Sequence, residues 1–128
     1  MIVTESSRGY APTIEALIAA IERRGLTVFA RVDHAGGARE VGLELADEEL
    51  VVFGNPRAGT LLMQSDPRIG VELPLKLLVW SRGDRASVGY LDPRELADTY
   101  DVATQTAILE QMAGLLGELA AEAAATRT

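Results

Sequence analysis

The chain is most constrained by the stretch from Leu50 to Thr60, where an apolar run ends abruptly at a forced turn; its sequence is LVVFGNPRAGT. Four consecutive apolar residues are typical of a strand buried on both faces, and the proline that follows cannot donate a ladder hydrogen bond. We therefore predict a strand over residues 50–54 that ends at the Gly-Asn-Pro turn. Beyond that turn, Arg57 stands beside small residues that leave backbone N–H groups accessible, which indicates a loop suited to an anion.

Hydrophobic periodicity predicts the elements on either side of this stretch. Residues 2–6 are β-prone, and residues 11–24 carry apolar side chains at helical spacing until Gly25. After this helix, the patterns predict a strand over 27–32 and a loop with at most two helical turns over 33–42. Beyond the central strand they predict short helical pieces between 60 and 72 and two further strands over 75–81 and 85–91. The chain then continues with a short helix over 92–100 and a long amphipathic helix over 103–124. We expect one α+β domain in two layers, with an antiparallel sheet of about five strands and helices on one face.

Two local expectations concern the strands next to the central one. In the second strand, simple alternation places Val28, Ala30 and Val32 on one face and Phe29 and Arg31 on the other. The acidic run at residues 47–49 is expected to form a solvated turn that leads into the central strand.

The composition excludes several classes of function. The net charge is −7 and the pI is about 4.7, so the protein's field repels phosphate backbones and anionic lipids, and we expect neither nucleic acid nor membrane as a partner. There are no cysteines, which removes disulfides and thiolate chemistry together. No apolar stretch approaches the ~20 residues that a membrane span needs, and no secretory signal is recognisable, so a cytoplasmic location is expected.

The glycine spacing that ends at Gly59 and Thr60 comes close to a phosphate-binding loop. That loop needs a lysine between the second glycine and the hydroxyl residue, and none is present, so nucleotide hydrolysis is not expected. A reduced interpretation keeps Arg57, Thr60 and free N–H groups as a cradle for a carboxylate or phosphate, with Asn55 orienting the ligand. The structural alternative is that Asn55 only sets a turn and that Arg57 pairs with an acid.

His34 is the single histidine, and it follows Asp33 at the end of the second strand. It could titrate near neutrality and serve as a general base held by the aspartate. A metal site would need further ligands, and without cysteine or a second histidine we predict no metal and no cofactor. The structural alternative is a loop residue that caps a helix or contacts a partner subunit.

Several sequence blocks are similar to those of a known family: residues 27–34, VGLEL at 41–45, FGNPRAGT at 53–60, LMQ at 62–64 and LPLKLLVW at 73–80. Over nearly its whole length the chain resembles the domain-of-unknown-function 302 family. The resemblance implies a TATA-binding-protein-like β-α-β4-α topology, in which helices cover one face of a curved antiparallel sheet, usually in a homodimer. It implies no known activity.

Together these features predict a homodimer with a small pocket at the rim of the sheet or at the subunit boundary. We expect His34, Asn55, Arg57, Gly59 and Thr60 to line that pocket. The expected ligand is a small anionic or polar metabolite whose charge Arg57 would pair. Two other functions remain open: a structural or protein-interaction module without a ligand, and a small lyase or isomerase that uses His34 as its base.

Overall fold

The chain folds into five strands and four α-helices in a computed structural model that describes residues 1–125. The strands are β1 (Ile2–Glu5), β2 (Thr27–Asp33), β3 (Glu48–Gly54), β4 (Leu75–Arg82) and β5 (Arg85–Tyr90). The helices are α1 (Tyr10–Arg23), α2 (His34–Glu40), α3 (Pro56–Ser65) and α4 (Thr106–Ala123), with 3₁₀ helices at Pro67–Glu72, Pro93–Asp98 and Ala103–Gln105. All strands pair antiparallel in one sheet of order β1-β5-β4-β3-β2, which confirms the predicted α+β fold.

The main core lies between one face of the sheet and the helices α1 and α4. Alternate residues of the three central strands are fully buried there, because every second side chain of a strand points to the same face. Each buried aliphatic side chain contributes roughly 1.5–3 kcal/mol through removal from water. The principal contributors are Val51, Phe53, Leu77, Val79 and Val88 from the sheet, Leu17 and Ile21 from α1, and Leu116 and Leu119 from α4.

A second, smaller core joins α3 and the first 3₁₀ helix to α4. It is formed by Leu62, Ile69, Val102, Leu109 and Met112. The half-buried side chain of Leu75 packs against both cores and connects them. The start of β4 is therefore held between the sheet and the α3 region.

The predicted alternation of β2 is wrong because the strand contains a bulge at Phe29. Val28 pairs with Phe53, but the register then shifts so that Ala30 pairs with Val52. An extra residue in one strand reverses the faces of everything that follows it. Ala30 and Val32 consequently lie on the sheet face opposite to Val28.

The acidic run before the central strand is also different from the prediction of a solvated turn. Glu48 and Glu49 belong to β3, and Glu49 is buried with only 8% of its surface exposed. The guanidinium of Arg31 on the neighbouring strand donates to both of its carboxylate oxygens, with Nη2 at 3.3 Å from Oε1. A buried carboxylate is tolerated when it is paired in this way.

The face of the sheet opposite to α1 and α4 carries a row of mainly apolar residues. The strand register places Val3, Gly89, Leu78, Leu50 and Val32 next to one another across all five strands. Leu50 and Leu78 are half-buried, whereas their neighbours in the core face are fully buried. This row is therefore mainly apolar and only partly covered by the chain itself.

Candidate functional site

A cavity of about 380 Å³ opens where the Gly54 end of β3 meets α3 and α4. Phe29 of β2 forms one side, and the first turns of α3 form another through Gly59 and Met63. The segment Leu73–Leu75 and the α4 residues Ile108, Met112 and Leu115 complete the wall. Most of the wall is aliphatic, aromatic or thioether carbon, so the cavity favours an apolar guest.

The sequence builds the α3 side of this cavity by starting a helix directly after the strand. Asn55 accepts a hydrogen bond of 2.9 Å from the backbone N–H of Arg57, and Pro56 occupies the first helical position, where no N–H is needed. The prediction of an open turn followed by a helix near residue 60 is therefore wrong. The first turn of α3 already includes Arg57 and Gly59, so fewer backbone N–H groups are free than the sequence suggested.

Three neutral polar side chains lie on the wall of the cavity. They are the amide of Asn55, the hydroxyl of Thr60 and the amide of Gln111. Within the described part of the chain, neither the Thr60 hydroxyl nor the Gln111 amide makes a hydrogen bond, and the Asn55 amide uses its oxygen alone. These groups can therefore bind the polar part of a guest without breaking a contact of the protein.

Arg57 lies on the first turn of α3 but is not part of the cavity wall. Its side chain is exposed, and no carboxylate among residues 1–125 lies within ion-pair distance of its guanidinium. The pairing with an acid that the structural alternative expected is therefore not seen in this part of the chain. The guanidinium of Arg57 therefore places a positive charge near the cavity but not on its wall.

His34 lies far from this cavity. It is exposed and is the first residue of α2, directly after the last residue of β2. The cavity lies near the other end of β2, at Thr27, and the seven residues of the strand separate the two ends by roughly 20 Å. Asp33 does not hold it: the Asp33 carboxylate accepts from the backbone N–H of Gly36 at 2.9 Å and faces Arg39. The structure thus brings Asn55, Gly59 and Thr60 together at one cavity and places His34 elsewhere.

The titratable groups with shifted pKa values also lie away from the cavity wall. Burial, with Glu49 and Asp47 nearby, raises the pKa of Tyr10 to about 12. The guanidinium of Arg68, with the backbone N–H of Asp101, lowers the pKa of Asp66. None of the groups with a shifted pKa in the described chain lines the cavity.

The cavity residues that sequence reasoning missed come from distant parts of the chain. Met112 and Gln111 have no local signal for a site, since they meet Gly59 only after the sheet and α4 are assembled. Phe29, Met63 and the segment 73–75 fall within the sequence blocks that mark the family resemblance, which was the available signal. No group of three or more His, Asp or Glu residues within residues 1–125 is placed to hold a metal ion.

A family model described as "Domain of unknown function DUF302" matches residues 2–119. The chain belongs to the DUF302 family. A crystal structure of an uncharacterized conserved DUF302 protein from Bacillus stearothermophilus superposes with a TM-score of 0.85 at 20% identity, covering 95% of this chain and 96% of that one. At that identity the similarity shows the DUF302 fold alone.

Curated relatives of this DUF302 chain carry the name of an ion channel. The "Fluoride-specific ion channel FluC 1" of Brucella suis is 41% identical over 103 residues, which are 80% of this chain and 41% of the relative. The protein of the same name from Brucella abortus is also 41% identical over 103 residues, which are 38% of that relative's length. The chain thus spans about two-fifths of these relatives. Within residues 1–125, no helix combines the length and the apolar character that a membrane crossing requires.

Proposed function

We propose that this DUF302 domain binds a small molecule with an apolar body and a polar or anionic end. The observation that carries the proposal is the cavity of about 380 Å³ with an apolar wall and unused hydrogen-bonding groups at Asn55, Thr60 and Gln111. Ligand cavities of proteins commonly measure ~300–1,000 Å³ and combine apolar walls with a few polar groups. This cavity has both properties.

The apolar body supplies most of the expected binding energy. Each methylene removed from water contributes about 0.8 kcal/mol, so a chain of seven contributes roughly 6 kcal/mol before the cost of association is subtracted. Arg57 adds less, because its side chain is exposed and an exposed ion pair is worth about 0.2–1 kcal/mol. We therefore expect the charge of the ligand to contribute less to the binding free energy than its apolar body does.

Isothermal titration calorimetry with octanoate and with octanol separates these two contributions. We expect both probes to bind with one site per chain, and Arg57→Gln to weaken octanoate about two- to fivefold while leaving octanol unchanged. Arg85→Gln is the matched control, since Arg85 is also exposed and forms no ion pair in the described chain. Absence of binding for both probes would reject the proposal.

We also propose that the apolar row on the open sheet face pairs with a second copy of the chain. The supporting observation is that Leu50 and Leu78 stay half-exposed at the centre of a row of five residues. Single exposed apolar residues are ordinary on a protein surface, but a continuous row of them is typical of an interaction site. A homodimer would bury the row on both copies at once.

A cytoplasmic location also stays a proposal, consistent with the absence of cysteine.

The remaining alternatives have less support. No carboxylate among residues 1–125 pairs with His34 to support a base role, because Asp33 caps α2 instead. A protein-interaction module without a ligand would leave the cavity unused. The fluoride channel activity named for the Brucella relatives belongs to proteins of which this chain covers about two-fifths, and we do not propose it for this chain.

A further inference from the structure

We infer that the ligand is a linear alkyl carboxylate whose chain passes between Leu73 and Leu75 into a second cavity. The inference rests on the proposed function, because the head of the ligand occupies the cavity at Asn55 and Thr60. It adds the class of ligand, an unbranched acyl chain, and the route that the end of this chain follows through the protein.

The second cavity has a volume of about 200 Å³ and lies where the ends of β4 and β5 meet the 3₁₀ helix Pro93–Asp98. Met1, Leu91 and Leu96 are among the apolar residues that line it. Leu50, Leu78 and Gly89 of the apolar row line it as well, so a second copy on that row would cover this cavity from the sheet side. Its apolar character matches that of the first cavity, so the two spaces suit different parts of one apolar chain.

Leu73 and Leu75 line both cavities and so form a shared wall. On the side of the first cavity, the Cδ1 methyl of Leu73 would lie 3.5 Å from a Cβ at Gly59. Both leucines are half-buried, and their side chains are held by packing alone. A leucine side chain moves between staggered rotamers without breaking a hydrogen bond, so the wall can open while the backbone stays in place.

The charged groups around the second cavity show which end of the ligand reaches it. The ammonium of Lys76 already donates to the carbonyl oxygens of Glu72 at 2.8 Å and Pro74 at 3.3 Å. The carboxylate of Asp92 is held by Arg94 at 2.7 Å. Glu72 also lines this cavity, so two carboxylates outnumber the one ammonium there, and the methyl end of the ligand enters while its carboxylate remains beside Arg57.

The three methionines allow this route to be followed by NMR of protein labelled with ¹³C-methyl methionine. Met63 and Met112 line the first cavity, and Met1 lines the second. We expect hexanoate to shift the Met63 and Met112 signals, and dodecanoate, kept below its micelle concentration, to shift Met1 as well. Each methylene that enters the second cavity should raise the affinity about fourfold.

A pair of exposed positions supplies the matched variants. Leu91 is 64% exposed and lines the second cavity, so Leu91→Asp is expected to remove the Met1 shift and the affinity gain of dodecanoate while leaving hexanoate binding unchanged. Val71 is 80% exposed and lines neither cavity, so Val71→Asp should change nothing. If hexanoate shifts Met63 and Met112 while dodecanoate neither reaches Met1 nor binds more tightly, the inference is overturned and the proposed function stands. If neither probe shifts Met63 or Met112, both are rejected.

Discussion

The side-chain oxygen of Asn55 accepts a hydrogen bond of 2.9 Å from the backbone N–H of Arg57. This contact starts α3 directly at the end of β3 and sets the position of both Gly59 and Thr60 on the cavity wall. It also places Arg57 at an exposed position in the first turn of the helix. The geometry of the candidate site therefore depends on a helix cap.

Replacing Asn55 by alanine removes this cap. We expect Asn55→Ala to lower the free energy of unfolding by about 1 kcal/mol, because the N–H of Arg57 loses its acceptor. Asn55→Asp keeps an acceptor oxygen and should retain most of the stability. Urea denaturation of the three proteins measures the difference, and equal stability of Asn55→Ala and the wild type would show that water replaces the cap without cost.

Gly114 offers a stabilising substitution on α4. It is exposed in the helix interior, and a Cβ at this position would meet no atom within 4 Å. Gly114→Ala should therefore raise the free energy of unfolding by about 1 kcal/mol, since alanine loses less backbone freedom than glycine on helix formation. Thermal denaturation tests this, and an unchanged or lower melting temperature would contradict it.

Asp66 is expected to make the protein sensitive to acid. Its carboxylate accepts from Arg68 Nη2 at 2.7 Å and from the backbone N–H of Asp101 at 2.9 Å, and these donors hold its pKa below the ordinary value. Because folding lowers the pKa, the stabilisation is present above about pH 4, where the unfolded chain ionises, and is lost as the pH falls below that value.

The variant Asp66→Asn should therefore lose stability at neutral pH and show a shallower decline of unfolding free energy between about pH 5 and pH 2. Asp98→Asn is the control, because the Asp98 side chain is exposed and makes no hydrogen bond or ion pair in the described chain. Denaturant titrations at several pH values give the slopes. Identical slopes for Asp66→Asn and the wild type would contradict the role of this carboxylate.

Leu78 lies at the centre of the apolar row on the open sheet face. If a second copy covers the row, Leu78→Lys should convert a dimer into a monomer, because the new charge would be buried without a partner. Val71→Lys, at an exposed position outside the row, should leave the dimer intact. Light scattering coupled to size-exclusion chromatography reports the mass. A monomeric wild type at micromolar concentration would reject the homodimer.

Local signals were sufficient for most of the fold. The helical spacing of α1 ends at Gly25, as predicted, and the positive φ of 70° at this residue suits glycine. The short helix predicted after residue 92 is observed as the 3₁₀ helix Pro93–Asp98. The Asn55-Pro56 pair was misinterpreted because a turn and a helix start use the same residue types. The bulge at Phe29 gave no local signal, since it is fixed by pairing with β3.

The site was less predictable than the fold because it depends on contacts between distant residues. Asn55, Gly59 and Thr60 were adjacent in sequence and could be grouped. The apolar wall could not, because Phe29 and Met112 meet across the assembled sheet and α4. The sequence therefore indicated polar groups and an anion, whereas the cavity itself is mainly apolar.

Filling the cavity is the most direct test of the central claim that it binds a ligand. A side chain at Gly59 has room to enter the cavity, since its Cβ would make ordinary contacts of 3.5 Å with Leu73 and 4.0 Å with Met63. Gly59→Leu is compared with Gly114→Leu, which places the same side chain on an exposed helix surface. Native mass spectrometry with octanoate should then show a one-to-one adduct for the wild type and Gly114→Leu and none for Gly59→Leu. Equal adducts on all three proteins would contradict binding in this cavity.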